Sequence, residues 1–136
     1  MNKLLLDTNI LIYAKDKSSQ FHQKSQALFS SSFELHTTSK NLAEYYAVTT
    51  RGVSPLLTCE EALADLDEFS ANFAVLFPNE LSLTILKELI KVHSPKGLLI
   101  HDFEIVAISL ANDITRIATV NVDDFKNIER IEVVSI

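Results

Sequence analysis

Short apolar runs alternate along this chain with longer stretches of helical periodicity, and this alternation constrains the fold more than any other feature. The first apolar run covers residues 4–6 and ends at Asp7, and a helical pattern at residues 10–14 follows it. Strands separated by helices favour parallel pairing, with helices covering both faces of the sheet. We therefore predict an α/β fold, a three-layer α/β/α sandwich around a central, mostly parallel sheet.

The remaining elements follow from periodicity, capping residues and a few Gly and Pro breaks. Ser39 is predicted to cap a helix, and Thr58 with Glu61 three residues later has the pattern of a capping box. Breaks fall near Gly52 and Gly97. The predicted helices cover residues 20–29, 40–50, 59–69, 80–93 and 102–111, and the predicted strands cover residues 33–37, 73–77, 116–120 and 131–134.

The composition fits a single globular domain that spans residues 1–136. With 47% hydrophobic and 22% charged residues, the chain has enough apolar side chains for a core. No run approaches the roughly 18 apolar residues that cross a bilayer, and Asp7 interrupts the apolar start too early for a signal peptide. We expect a cytoplasmic protein without a membrane segment. The lone Cys59 provides neither an internal disulfide nor a thiolate zinc site.

Four acidic residues stand at the ends of apolar runs or on apolar helix stripes, namely Asp7, Glu44, Asp102 and Asp124. Asp7 directly follows the first strand, where α/β sheets form their sites. Carboxylates about 4 Å apart repel by roughly 4 kcal/mol at an effective dielectric near 20, so gathered acids favour a bound divalent cation. The net charge of −6 argues against indiscriminate binding to nucleic acid, although acids neutralised in a metal pocket would weaken that objection.

Each acid also has an ordinary structural interpretation. Asp7 suits a helix N-cap in Asp-Thr-Asn, and Asp102 suits the positive end of the helix that it opens. Glu44 lies on an apolar helix stripe, where it could be a ligand or a solvated charge. Of the adjacent Asp123 and Asp124, we expect one to face the site and the other to face solvent.

Four segments, taken in order, resemble the PIN domain, and most of all the compact VapC-type toxins of bacterial toxin–antitoxin pairs. The segments are an apolar strand into Leu-Asp-Thr-Asn, a helical Asn-Leu-Ala-Glu-Tyr-Tyr-Ala-Val-Thr-Thr-Arg, a helix-opening His-Asp-Phe-Glu-Ile-Val-Ala, and a closing Thr-Val-Asn-Val-Asp-Asp-Phe. Each segment is short, but their order and separations, across almost the whole chain, make the resemblance fairly specific.

The resemblance implies a metal-dependent ribonuclease that cleaves RNA phosphodiester bonds by attack of a metal-activated water. Asp7, Glu44 and Asp102 match the three core acids, and oxygen ligands without cysteine suit Mg²⁺ or Mn²⁺. On this hypothesis Asp7 and Asp102 hold the principal ion, while Glu44 and Asp124 complete its shell or a second site. The fourth acidic position matches less clearly, because Asn121 stands at the strand end. We favour Asp124 for it, with Asn121 assisting.

Supporting residues and partners are also implied by the resemblance. Thr8 and Thr119 match small hydroxyl positions near the site, and Arg51 matches a basic residue after the Glu-bearing helix. Lys15 and Lys40 could extend a basic rim that steers RNA, although they could equally be scattered solvated charges. We expect a small antitoxin that directs Arg or Lys into the acidic pocket, and a homodimer. The apolar helix faces available to such partners are residues 57–69 and 81–90.

Two other functional classes stay open. A non-catalytic interaction module could keep the acid cluster, and metal-dependent RNA cleavage separates it from an enzyme. A phosphatase with an aspartyl nucleophile would also place Asp7 after the first strand, but that chemistry usually needs a second acid two residues later, where this chain has Asn9. The histidines are not spaced as metal ligands are. His101 is not expected to face the same way as its neighbour Asp102. Tyr45 and Tyr46, beside Glu44, could stack a base, but we expect one or both to pack in the core.

Overall fold

The computed structural model describes residues 2–136, in which five strands form one sheet. The strands are β1 (Lys3–Leu6), β2 (Glu34–Thr38), β3 (Ala74–Leu76), β4 (Arg116–Ala118) and β5 (Glu132–Val134). They lie in the order β3-β2-β1-β4-β5, and every neighbouring pair is parallel. The predicted sheet is therefore confirmed, and it is parallel throughout.

Helices connect the strands. They are α1 (Thr8–Lys15), α2 (His22–Phe29), α3 (Ser39–Thr50), α4 (Cys59–Asn72), α5 (Glu80–His93), α6 (Ile100–Ala111) and α7 (Val122–Phe125). A 3₁₀ turn, Gly97–Leu99, leads directly into α6. None of the helices within residues 2–136 combines the length and the apolar character needed to cross a bilayer.

The central strand β1 separates two hydrophobic cores. Leu5 faces one side of the sheet and packs in a core with residues of α5 and α6. Leu4 and Leu6 face the other side, where their core includes Tyr45 and Phe69 from α3 and α4. This is the period-two alternation of a strand that is buried on both faces. The helical layers confirm the three-layer sandwich, and Tyr45 lies in its core as predicted.

The strand order reverses beside β1. Strands β2 and β3 extend the sheet to one side of it, and β4 and β5 extend the sheet to the other. Neighbouring β1 and β4 therefore form a topological switch point, and ligand sites of such sheets lie beyond the carboxyl ends of the strands there. We call this place the carboxyl edge. It is the edge on which the residues that follow β1, β2 and β4 meet.

Two helix starts differ from the prediction. Thr38, and not Ser39, caps α3, because the Thr38 hydroxyl accepts a hydrogen bond from the backbone N–H of Asn41 at 3.1 Å. Sheet pairing with β3 keeps Thr38 extended, so Ser39 becomes the first helical residue. Helix α6 begins at Ile100, which puts Asp102 in the first turn instead of at the cap. The short helix α7 was not predicted.

Candidate active site

The predicted acids come from four different elements that meet at the carboxyl edge. Asp7 directly follows β1, and Asp124 lies in α7, which follows β4. Glu44 lies in the second turn of α3, which follows β2, and Asp102 lies in the first turn of α6. The negative charge of Asp124 raises the pKa of Asp7, that of Asp7 raises the pKa of Glu44, and those of all three raise the pKa of Asp102. The fold thus gathers four carboxylates that are far apart in the sequence.

The Asp7 carboxylate is the buried centre of this cluster, with 7% of the residue exposed. Its Oδ1 accepts hydrogen bonds from the backbone N–H of Thr8 at 2.9 Å and from the amide of Asn41 at 3.3 Å. Its Oδ2 accepts from the Thr119 hydroxyl at 2.8 Å and from the amide of Asn9 at 3.3 Å. An ionised carboxylate offers about four lone-pair sites. These donors therefore engage Asp7 fully, and the two amides make the longer bonds.

Sequence reasoning missed Asn9 and Asn41. Asn41 is completely buried, and its amide also donates to the Thr8 hydroxyl oxygen at 2.9 Å. The amide of Asn9 likewise donates to the Thr119 hydroxyl oxygen at 3.1 Å. A signal for Asn41 existed, because it precedes Glu44 by three residues and so shares its helix face. Asn9 lies two residues after Asp7, to which it donates, whereas its contact with Thr119, 110 residues away in the chain, had no local signal.

The electrostatics of Asp7 follow from this packing. Burial raises the pKa of the Asp7 carboxyl, and the negative charge of Asp124 raises it further. The hydrogen bonds from Thr119, Thr8 and Asn41 act in the opposite direction, because they stabilise the ionised form. Burial therefore disfavours the ionised form of Asp7, and the hydrogen bonds from these three residues offset part of that effect.

Glu44 lies on the open side of the cluster. Although the residue as a whole is exposed, partial enclosure of its carboxyl raises the pKa of Glu44, and the charge of Asp7 adds to this. Three groups lower the pKa of Glu44, namely His101, the Thr8 hydroxyl and Arg51. The Thr8 side chain therefore connects Asn41, from which it accepts, to the Glu44 carboxylate.

Asp102 is the most perturbed of the partly exposed acids. Burial raises its pKa from the ordinary value of 3.8 to about 6, and the charges of Asp7, Asp124 and Glu44 contribute to the rise. His101 lowers the pKa of Asp102, as it does for Glu44. Its ring lies near enough to both carboxylates to favour their ionised forms.

The adjacent acids of α7 take different positions. The Asp124 charge acts on both Asp7 and Asp102. Asp123 projects outward instead, where its carboxylate pairs with Lys126 at 2.9 Å and its side chain is 88% exposed. The backbone N–H of Asn121 donates to the Thr119 hydroxyl oxygen at 3.0 Å.

The predicted basic residues differ in their surroundings. Arg51 is exposed at the end of α3, and its charge reaches Glu44. Lys15, at the far end of α1 from Asp7, is paired with Asp65 at 3.6 Å and with a second acid of α4. Lys40 forms an ion pair with Glu104 of α6, with 3.1 Å between Nζ and Oε2. Of these three basic residues, Arg51 is the one whose charge acts on an acid of the cluster, Glu44.

The chemistry of the donors fits Mg²⁺ or Mn²⁺. Asp7, Glu44, Asp102 and Asp124 offer only hard oxygen atoms, which these ions prefer. Their mutual repulsion is the energy that a divalent cation would relieve. Within residues 2–136, no three Asp, Glu, His or Cys side chains converge closely enough to make a ready coordination shell. Mg²⁺ usually keeps several waters, so the acids need not all contact it directly.

The fold, the switch-point location and the acid cluster together define a class of protein. The chain belongs to the PIN domain family, whose profile matches residues 4–131. PIN domains are typically nucleases, and the nucleases of this family use divalent metals.

Structures of VapBC proteins share this fold. VapBC2 from Rickettsia felis, bound to a DNA fragment from their promoter, superposes with a TM-score of 0.74 at 20% identity, covering 98% of this chain and 98% of that chain. DNA-bound VapBC from Salmonella typhimurium gives 0.72 at 21% identity, covering 99% and 98%. Mycobacterium tuberculosis VapC20, a sarcin-ricin loop cleaving toxin, gives 0.65 at 14% identity, covering 85% and 87%. At these identities the likeness establishes the fold alone. No curated protein matches the sequence significantly.

Proposed function

We propose that this chain is a Mg²⁺- or Mn²⁺-dependent endoribonuclease, and that it is the toxin of a toxin–antitoxin pair. The observation that carries the proposal is the gathering of Asp7, Glu44, Asp102 and Asp124 at the carboxyl edge, where neighbouring negative charges raise the pKa values of Asp7, Glu44 and Asp102. Such strained acids, in a family of nucleases, are the groups that a catalytic cation needs. The likeness to VapBC structures supports the toxin assignment.

Each of the four acids has a proposed role at the metal site. Asp7 and Asp102 would hold the principal ion, and Glu44 and Asp124 would complete its shell or hold a second ion. When bound, the cation supplies a water acidic enough to attack phosphorus near neutral pH and neutralises the phosphate charge. Thr119 and Thr8 orient Asp7 through its two oxygens at 2.8 and 2.9 Å.

Asn9 and Asn41 both support Asp7 in the proposed metal site. Their amides make the two longer contacts to the Asp7 oxygens, each at 3.3 Å. Those contacts occupy lone pairs of the carboxylate that a cation bound by Asp7 would need. Each amide keeps a shorter bond to a threonine hydroxyl, at 3.1 Å for Asn9 and 2.9 Å for Asn41. Each amide therefore has a second acceptor, which would hold it in place if Asp7 bound a cation.

Arg51 is the residue that we propose for contact with RNA. It is the C-cap of α3, and its charge is near enough to lower the pKa of Glu44. Its guanidinium suits a phosphate of the bound strand. Lys15 and Lys40 are weaker candidates, because acids of the protein already pair with them.

RNA cleavage by the metal-stripped and reloaded protein tests the enzymatic proposal. With a labelled single-stranded RNA, we expect cleavage after addition of Mg²⁺ or Mn²⁺ and none in EDTA. Asp7→Asn and Asp102→Asn should each lower the rate by about 100-fold or more, because each removes a charge from the metal site. The matched control is Asp67→Asn, a change of the same kind on the exposed face of α4, which should cleave like the wild type.

The product ends and the mutants decide between the alternatives. Attack by water predicts a 5′-phosphate and a 3′-hydroxyl, so a cyclic phosphate would contradict the mechanism. Equal residual cleavage by both acidic-site mutants would indicate a contaminating nuclease. Metal binding without cleavage of any RNA tested would favour a non-catalytic interaction module.

An antitoxin and a second copy of the chain are the proposed partners. Large apolar side chains are exposed on α4 and α5, where Leu63 is 56%, Leu81 is 54% and Leu83 is 51% exposed. These faces suit protein contacts. We expect a homodimer, and a monomer in light scattering at micromolar concentration would contradict it. For the antitoxin, the product of a flanking open reading frame should copurify with the chain and suppress cleavage. Failure of every flanking product to bind would remove the toxin assignment.

A further inference from the structure

One ion pair crosses from the helical layer on one face of the sheet to the layer on the other. The Nζ of Lys40, in the first turn of α3, lies 3.1 Å from Oε2 of Glu104 in α6. Helix α3 packs with α1 and α4, whereas α6 packs with α5 on the opposite face. The other ion pairs among residues 2–136 join α1 to α4, join β4 to β5, or stay within α6 or within α7 and the residue after it. Lys40 and Glu104 thus form the single ion pair between the layers in that part of the chain.

Both ends of this link lie on helices that carry acids of the candidate site. Lys40 precedes Glu44 by four residues, one turn of α3, and so lies on the same face. Glu104 follows Asp102 by two residues in α6, and its other carboxylate oxygen lies 3.4 Å from Nδ1 of His101. His101 in turn is near enough to influence both Glu44 and Asp102. Lys40, Glu104 and His101 therefore border the acid cluster on the side where α3 faces α6.

Repulsion between acids of the site opposes the close approach of the two helical layers. Glu44 and Asp102 are like charges carried by helices from opposite layers, and their repulsion pushes α3 away from α6. The main packing partners of each helix lie within its own layer. An ion pair whose side chains are only 35% and 26% exposed resists that separation more than a fully solvated pair would.

We propose that Lys40 and Glu104 are positioning residues, whose ion pair sets the spacing between α3 and α6 so that Glu44 and Asp102 are held ready for one divalent cation. This inference rests on the proposed function of the acid cluster. It assigns Lys40 a role different from direct contact with RNA, because the ammonium acts on Glu104 instead of on phosphate.

Mn²⁺ affinity tests the positioning role, because this role and simple Coulomb attraction predict changes of opposite sign when the charge of Lys40 is removed. Removing the positive charge of Lys40 would by Coulomb attraction strengthen binding of a cation nearby. The positioning role predicts that Lys40→Met instead weakens Mn²⁺ binding, by about three- to tenfold, because the acids lose their fixed spacing. Mn²⁺ titrations followed by electron paramagnetic resonance measure this affinity without reference to RNA cleavage.

A double-mutant cycle tests whether the two residues act as a pair. Glu104→Gln should weaken Mn²⁺ binding by a similar factor, and the double variant should lose no more than the worse single variant. Arg116→Gln is the matched control. It breaks another partly exposed pair, Arg116 with Glu132 at 3.3 Å, which joins two strands, and it should leave the Mn²⁺ affinity unchanged. Thermal melts of every variant in EDTA establish that each is folded at the titration temperature.

The outcomes separate this inference from the proposed function. If the wild type binds no Mn²⁺, or if Asp7→Asn and Asp102→Asn bind it equally well, the proposed metal site is wrong and the inference is lost with it. If the wild type binds Mn²⁺ in a way that depends on those acids, while Lys40→Met binds as tightly or more tightly, only the positioning role is wrong. Multiplied losses in the double variant would likewise refute the pairing.

Discussion

Replacing Asp102 by Asn should stabilise the metal-free protein at neutral pH. The pKa of Asp102 is raised from 3.8 to about 6, first by burial and then by neighbouring negative charges. Between these pH values the folded state keeps a proton that the unfolded chain releases, so the free energy of unfolding falls as the pH rises. The cost is complete above about pH 6. Asparagine keeps the shape of the side chain and removes this cost.

The magnitude follows from the two pKa values. At about 1.4 kcal/mol for each tenfold change, the difference between 3.8 and about 6 corresponds to about 3 kcal/mol. Asp102 is only partly buried, so solvent screening reduces the gain to about 1–1.5 kcal/mol. For a chain of 136 residues, this corresponds to a rise in melting temperature of about 3–5 °C.

Thermal melts in EDTA at several pH values measure the effect. At pH 7.5 the Asp102→Asn variant should melt above the wild type, and the gain should shrink to about a third at pH 4.5. Asp67→Asn, on the exposed face of α4, is the control and should show no gain. Adding Mg²⁺ should raise the melting temperature of the wild type but not that of Asp102→Asn. A variant that melts at or below the wild type at pH 7.5, or whose gain is the same at both pH values, would refute this account.

Three further changes test the contacts around the site and in the scaffold. Thr119→Val removes the donor to Asp7 at 2.8 Å and should lower the free energy of unfolding by about 2 kcal/mol in urea denaturation, whereas Thr119→Ser should cost less than about 1 kcal/mol. The predicted capping box of α4 is confirmed, since the backbone N–H of Glu61 donates to the Thr58 hydroxyl at 3.1 Å. Thr58→Ala breaks it and should lower the free energy of unfolding by about 1 kcal/mol without changing the Mn²⁺ affinity. Phe125→Ala empties a fully buried position beside Asp124 and should cost about 3–4 kcal/mol, with weaker Mn²⁺ binding at temperatures where the variant is folded.

Local patterns were enough to predict the sheet and most of the helices. Apolar runs marked the strands, and hydroxyl or acidic residues before helical patterns marked the starts of helices. The start of α3 was misplaced by one residue because Thr37, Thr38 and Ser39 can all cap a helix. Only the pairing of Thr38 with Leu76 in the sheet decides among them. That pairing is a tertiary contact, which no local window contains.

The site was predictable in its charged residues and not in its neutral ones. An acid after a strand or on an apolar stripe is conspicuous, because charges there need a reason. Asn9 and Asn41 are ordinary surface residue types, and what distinguishes them is their contact with Asp7 and with the Thr119 and Thr8 hydroxyls. His101 adjoins Asp102 in α6, and its charge acts also on Glu44, which comes from another helix, so that effect has no local sequence signal.

The network around Asp7 joins the fold to the chemistry. Its donors come from the start of α1, from α3 and from the residue after β4, so one carboxylate ties together three segments at the switch point. Removing its oxygens altogether would leave buried donors without acceptors, which costs about 1–3 kcal/mol for each group. An alanine at this position would therefore confound lost catalysis with lost structure. Asparagine keeps one oxygen for the backbone N–H of Thr8, but its amide NH₂ would face the donors on the other side, Thr119 and Asn9, so Asp7→Asn removes the charge and also weakens part of the network. The melting temperature of Asp7→Asn in EDTA, measured beside its Mn²⁺ affinity, separates the two effects.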